Sequence, residues 1–200
     1  IAVQPCGQVG KHHLAKDGCG PVEILAQDEV EGRGDAQLRP PPPIVHMTPY
    51  SPFAFFTDRK LYIHNAGHAV LAYLGHLRGY EYGYEALADD EIYFQARGAM
   101  EESALALTRK YRPEPGSLLA NIDDLLARFA NRALGDTTLR LGRDPLRKLA
   151  PGDRLVGAAR NAQAQGVVPV HLATGIAAGL LFDPPADPIA QELQGRLRQQ

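Results

Sequence analysis

Two hundred residues are enough for one domain with its own buried core, and 44% apolar against 22% charged residues excludes wholesale disorder. Lys plus Arg number 21 against 23 Asp plus Glu, so the net charge of −2 offers no basic excess for a nucleic-acid partner. Two cysteines, Cys6 and Cys19, are too few for a disulfide framework and point to a reducing, cytoplasmic setting. The longest apolar run, Gly175 to Phe182, falls well short of the roughly 20 residues a membrane span needs, and no secretory signal is read. The chain begins at Ile1 rather than Met, as a fragment or processed product would.

Residues 1–59 and 60–200 differ in character. The first stretch holds Gly7, Gly10, Gly18, Gly20, Gly32 and Gly34, then the run Pro40 to Pro43, which favours an extended polyproline segment and cannot enter a helix. Short strands are expected at Val22 to Ala26 and Ile44 to Met47, within an irregular arm. From Ile63 the pattern turns helical. Val70, Leu71, Leu74 and Leu77 recur at three- and four-residue spacings, and Tyr80, Tyr84 and Leu87 follow. Asp89 and Asp90 cap a second helix running to about Tyr111, where Pro113 and Pro115 stop it. Leu118, Ile122, Leu125, Leu126 and Phe129 form a third amphipathic stripe. Asp144-Pro145 starts another helix, since Asp caps and Pro is tolerated in a first turn. Further helices are expected near 152–165, 167–182 and 187–198, so the second part is mainly α.

The densest polar cluster lies between Lys60 and His68. With a helix starting near Ile63, Asn65 and His68 share a face, and Lys60 reaches back toward them from the preceding turn. An amine, an amide and an imidazole converging on one spot suit proton transfer at an alcohol or carbonyl oxygen. Desolvation would let the neutral amine act as base while Asn65 and His68 hydrogen-bond the reacting oxygen. The plainer reading makes Lys60 a solvated residue, Asn65 a helix cap and His68 a core histidine.

His64, His68 and His76 also fall on one helical ladder. The glutamate of an HExxH zinc motif is missing, however, and His76 is too far along the axis to share an ion with His64. No metal is expected. Arg140, Arg143, Arg147 and Lys148 place four cations in nine residues beside a helix start, where they could hold a phosphate or a polyhydroxylated substrate. A solvated basic turn is the alternative. Gly18-Cys19-Gly20 and Gly32-Arg33-Gly34 are isolated pairs without the third glycine of a dinucleotide fingerprint, and neither a P-loop nor a GxSxG element is present.

Lys60, Asn65 and His68 match the K-x4-N-x2-H signature of the polyol-specific long-chain dehydrogenases, the mannitol dehydrogenase family. The text from Lys60 to Gly75 resembles its mannitol-1-phosphate 5-dehydrogenase branch, and so does Arg140 to Leu149 downstream. The similarity covers roughly residues 58–182. The resemblance implies a multi-helical C-terminal substrate domain that follows an NAD-binding Rossmann domain, and a metal-free oxidation of a polyol's secondary alcohol. The favoured reaction is mannitol 1-phosphate plus NAD to fructose 6-phosphate plus NADH. It assigns Lys60 as general acid/base and Asn65 and His68 as groups polarising the reacting oxygen. Arg140 and Lys148 become substrate contacts, with Arg143 and Arg147 as phosphate helpers. The cofactor domain itself is expected from outside this chain, in cis or in trans, so the chain alone is expected to be inactive. A further asparagine that the family contributes from that domain has no counterpart here; Gln8 is the nearest polar residue and a poor substitute. Two alternatives stay open: the same chemistry on free mannitol or a sugar acid such as altronate, and a non-catalytic helical module binding a sugar phosphate or a partner protein.

Overall fold

The structure, a computed structural model, describes residues 52–199 together with the backbone of three short strands, β1 (Ala2–Val3), β2 (Val22–Leu25) and β3 (Met47–Tyr50). Contacts divide the chain into two units, Ile1–Thr57 and Asp58–Gln200. In the first unit β1 pairs antiparallel with β2, aligning Ala2 with Leu25, and β2 pairs parallel with β3, aligning Val22 with Met47. The expected strand at Val22 is present. The one expected at Ile44 to Met47 meets β3 at Met47, and its remainder, Ile44 to His46, lies outside the described residues. Thr48 and Tyr50 favour extended backbone, and Pro49 is tolerated because β3 ends the strand order.

Helix begins earlier than the apolar periodicity suggests. The segments α1 (Phe53–Asp58), a π-helical turn (Arg59–His64) and α2 (Asn65–Leu77) follow one another with no intervening loop. Helical structure therefore starts at Phe53, not near Ile63. Pro52 stands just ahead of α1, where its missing N–H costs nothing, and its carbonyl accepts from the Phe55 N–H at 3.2 Å.

In the second unit α2 is the central element. Ala66, Gly67, Ala69, Val70, Leu71, Ala72, Tyr73 and Gly75 are all buried, so the helix is covered on almost every side. Its small residues allow neighbours to come close: a Cβ on Gly75 would stand 2.7 Å from Ala86 Cβ, and one on Gly175 would stand 2.5 Å from Val70 Cγ2. Gly79, at φ +80°, ends the helix with a left-handed turn. The apolar stripe expected to continue through Tyr80 and Tyr84 is therefore broken: Tyr80 lies in the connection and Tyr84 inside a separate short helix, α3 (Gly83–Leu87).

The next helices follow the sequence reading closely. α4 spans Asp90–Tyr111, and the Asp89 carboxylate accepts from the Glu91 and Ile92 N–H groups at 3.0 and 3.1 Å. α5 (Ser117–Phe129) buries Leu118, Ile122, Leu125, Leu126 and Phe129. α6 (Thr138–Gly142) is fixed by a bridge between Tyr82 and Thr137, and by the Thr138 hydroxyl donating to Tyr80 O at 2.8 Å. α7 (Pro145–Lys148) starts at Asp144-Pro145 as expected.

α8 (Val156–Ala164), α9 (Val170–Leu180) and α10 (Pro188–Leu197) complete the bundle. The start of α9 is held from a distance, because the Glu102 carboxylate accepts from the His171 and Leu172 N–H groups at 2.8 and 2.9 Å. Among the described residues no helix is long and apolar enough to cross a membrane.

Candidate active site

The spacing of Lys60 and Asn65 acquires its meaning from the π-helical turn. In an α-helix, residues five apart point about 140° away from each other. Here the Asn65 N–H bonds to Lys60 O, five residues back, so one wider turn separates the two residues and they stack on one side. His68, three residues on in α geometry, continues that face. The sequence reading placed Lys60 in a turn ahead of the helix; it is inside the helix, and the extra residue of the π turn aligns it. The turn is clamped at its start. Asp58 accepts from the Tyr111 hydroxyl at 2.7 Å and from Lys110 Nζ at 2.9 Å, both at the end of α4.

Lys60 is exposed and makes no ion pair or hydrogen bond among the described residues. The desolvation invoked for its amine is thus not supplied by these residues. The histidines differ. His68 is stacked on Phe129, with centroids 3.6 Å apart and planes at 23°, and His64 meets His68 edge-on at 5.0 Å. Burial first, then the charges of Arg128, Lys60 and Arg154, hold the His64 ring down to about 4. Burial, then His64, Arg140, Arg154 and Arg128, hold His68 down to about 3. Both rings are neutral at pH 7, so His68 can donate through one nitrogen to a substrate oxygen without carrying charge. His76 does not join them; it packs edge-on against Phe182 at 4.7 Å. Among the described residues no group of three His, Cys, Asp or Glu side chains could hold a metal ion.

The basic run divides sharply. Arg140, on α6, is exposed and paired with Asp136, yet its charge still reaches His68. Arg143 is exposed between α6 and α7, and its carbonyl accepts from Lys148 Nζ. Arg147 is exposed and engaged by Asp144 at 2.6 Å and by Asp153 at 3.7 Å. Lys148 alone is buried, at 4% exposure. Burial first, then Arg154 and Arg147, bring its ammonium down to about 8. Arg154, in the turn before α8, escaped the sequence reading because it lies outside the 140–148 run. Its charge reaches His64, His68 and Lys148, which links the two candidate clusters.

Residues 53–199 match the mannitol dehydrogenase C-terminal domain family. The chain belongs to that family. The mannitol-1-phosphate 5-dehydrogenase of Caldanaerobacter subterraneus subsp. tengcongensis is 41% identical over 144 residues, covering 72% of this chain and 37% of that protein. Its counterpart in Thermoanaerobacter pseudethanolicus is 34% identical over 185 residues, covering 89% and 46%. The chain therefore spans less than half the length of these curated relatives.

Among solved structures, Pseudomonas fluorescens mannitol 2-dehydrogenase, in a ternary complex with NAD and D-mannitol, superposes with a TM-score of 0.62 at 26% identity. That match covers 76% of this chain and 32% of the other. A D-sorbitol dehydrogenase in substrate-free form shares the fold, with a TM-score of 0.57 at 24% identity over 68% of this chain and 27% of its own. The family resemblance and the multi-helical fold expected from sequence are both borne out.

In this mannitol dehydrogenase C-terminal domain, no described residues form a glycine-rich strand–turn–helix of the kind that seats a dinucleotide's pyrophosphate. Cys6, Cys19, Gln8 and the two GxG pairs lie outside the described residues.

Proposed function

We propose that this chain is the substrate-binding, proton-transferring part of an NAD-dependent polyol-phosphate oxidoreductase, oxidising mannitol 1-phosphate to fructose 6-phosphate. The observation that carries the reading is the π turn, which stacks Lys60 and Asn65 on the face that His68 continues. In this reading Lys60, in its neutral form, accepts the hydroxyl proton of the carbinol. Asn65 and the neutral His68 donate to the same oxygen as it becomes a carbonyl. The hydride acceptor is NAD, held by another domain in cis or in trans. Because Lys60 is exposed here, closure of that domain over the substrate would provide the dry surroundings that favour a neutral amine. Arg140 and Lys148 take the substrate's hydroxyls or phosphate, with Arg143 and Arg147 at the periphery. A cytoplasmic location goes with this chemistry.

The test is Lys60→Ala in the full-length protein that carries this chain. Turnover should fall by about 10²- to 10⁴-fold, with nicotinamide binding unchanged. Retained turnover would overturn the assignment.

Free mannitol is the second reading, favoured by the D-mannitol bound in the Pseudomonas relative. Comparing rates on the phosphorylated and free hexitol decides between the two. A non-catalytic module would show no turnover on either when supplied with its cofactor domain.

A further inference from the structure

Most cations in this region have their charge met locally. Arg140 faces Asp136, Arg128 faces Asp124 at 2.5 Å, and Arg147 is taken up by Asp144 and Asp153. Lys148 and Arg154 stand apart. Lys148 is nearly sealed from solvent, and its Nζ meets a carbonyl, not a carboxylate. Arg154 keeps only 15% of its side chain exposed. Its Nε bonds to Asp153 Oδ1 at 2.8 Å, a carboxylate shared with Arg147, while neither Nη atom has a hydrogen-bond partner among the described residues.

The position of Arg154 is set by packing. Three residues later Gly157 lies against the Tyr62 ring, where a Cβ would come within 3.2 Å of Cε1, so the first turn of α8 sits against the π turn that bears Lys60. Arg154, just ahead of that turn of α8, is carried to the same junction, and its charge bears on His64, His68 and Lys148. Lys148, which meets only a carbonyl, and Arg154, which shares its one carboxylate with Arg147, leave positive charge uncancelled, and desolvated charge is costly unless a counter-charge meets it. A guanidinium with a free edge matches a tetrahedral oxyanion in two parallel hydrogen bonds.

We propose that Arg154, together with Lys148, forms the seat for the anionic end of the substrate, a phosphate monoester, and that Arg154 is the residue that sets preference for the phosphorylated polyol. The proposal rests on the functional reading above and adds to it a residue beyond the 140–148 run. Arg143 and Arg147 become peripheral, since one points to solvent and the other is held by two aspartates.

The experiment is calorimetric titration of the 200-residue chain with inorganic phosphate, in the wild type, R154Q, R154K and the control R160Q on the exposed side of α8. R154Q should bind phosphate about 10-fold more weakly or worse, R154K should retain part of the affinity, and R160Q should match the wild type. A thermal melt of each variant keeps a folding defect from counting as loss of binding; if R154Q unfolds, the folded R154K carries the comparison through its lost bidentate contact. Phosphate affinity within twofold of wild type in the folded variants, or loss in R160Q equal to that in R154Q, overturns the seat. Steady-state rates of the full-length protein on hexitol phosphate and free hexitol separate this from the parent reading. Phosphate binding that depends on Arg154, with no turnover on either hexitol, would keep the seat and overturn the oxidoreductase assignment.

Discussion

The stretch from Lys60 to His68 and the stretch from Arg140 to Arg154 solve opposite problems. The first sits on a continuous helical path whose α2 portion is covered by α3, α4, α6 and α9. It carries two rings kept neutral by burial. The second is made of two short helices and a turn, and its shape depends on caps: Thr137 accepting from Arg140 N–H at 3.1 Å, and Asp144 engaging Arg147. Proton transfer needs fixed, uncharged partners around one oxygen, and a packed helix supplies them. Charge recognition needs cations whose counter-charge is incomplete, and the short capped turns, which leave Lys148 only a carbonyl partner and Arg154 a shared carboxylate, supply those. Rigidity and charge are therefore divided between two regions that meet at Arg154.

The sharpest way to break that division is to insert an alanine after Leu61, which puts Lys60 six residues from Asn65, a spacing that neither an α turn nor a single wider turn brings onto one face, while leaving α2 in register. Activity of the full-length protein on hexitol phosphate should fall about 100-fold or more with the helical circular dichroism retained. Activity near wild type would mean that the alignment is irrelevant.

A smaller effect is expected from tightening the packed region. Gly175→Ala brings a methyl to 2.5 Å from Val70 Cγ2, and should cost about 1–3 kcal/mol in urea unfolding because α2 and α9 must separate.

Titration sharpens the contrast further. His64 and His68 have folded values lowered to about 4 and about 3, so the unfolded chain binds more protons than the folded one below 6.5. Stability should be fully present above pH 6.5 and fall as the pH drops toward 3, with H68N giving a flatter curve. Lys148 is lowered from 10.5 to about 8, so here too the unfolded chain holds the extra proton. Stability should rise between pH 8 and 10.5, and K148M should abolish that rise. Urea midpoints across pH measure both.

The smallest effect belongs to the capped region. Thr137→Ala removes one accepted hydrogen bond at the start of α6 and should cost about 1 kcal/mol, read by the same unfolding curves.

Much of the helical unit was legible because its signals are local. Asp89 before Asp90-Glu91, the stripe from Leu118 to Phe129, and Asp144-Pro145 each specify a helix through neighbouring atoms alone, and each helix forms there. The boundary before Ile63 was not legible. Phe53, Phe55 and Phe56 lack a helical period long enough to stand out, and a π turn has no compositional signature. Lys60, Asn65 and His68 could be named from their spacing, yet their common face could not be derived from it, since that spacing suits no regular α-helix. Arg154 was invisible because its proximity to His64, His68 and Lys148 is created by the packing of α8 against the π turn.

The amino-acid sequence by itself determined the family, the succession of helices and the identity of the polar groups, because capping, periodicity and motif spacing act over a few residues. Only the tertiary structure decided which of those groups are neutral, which cations are already matched by carboxylates, and which residues share a face. Those properties depend on burial and on distances between segments dozens of residues apart, and a linear sequence specifies them only through the fold.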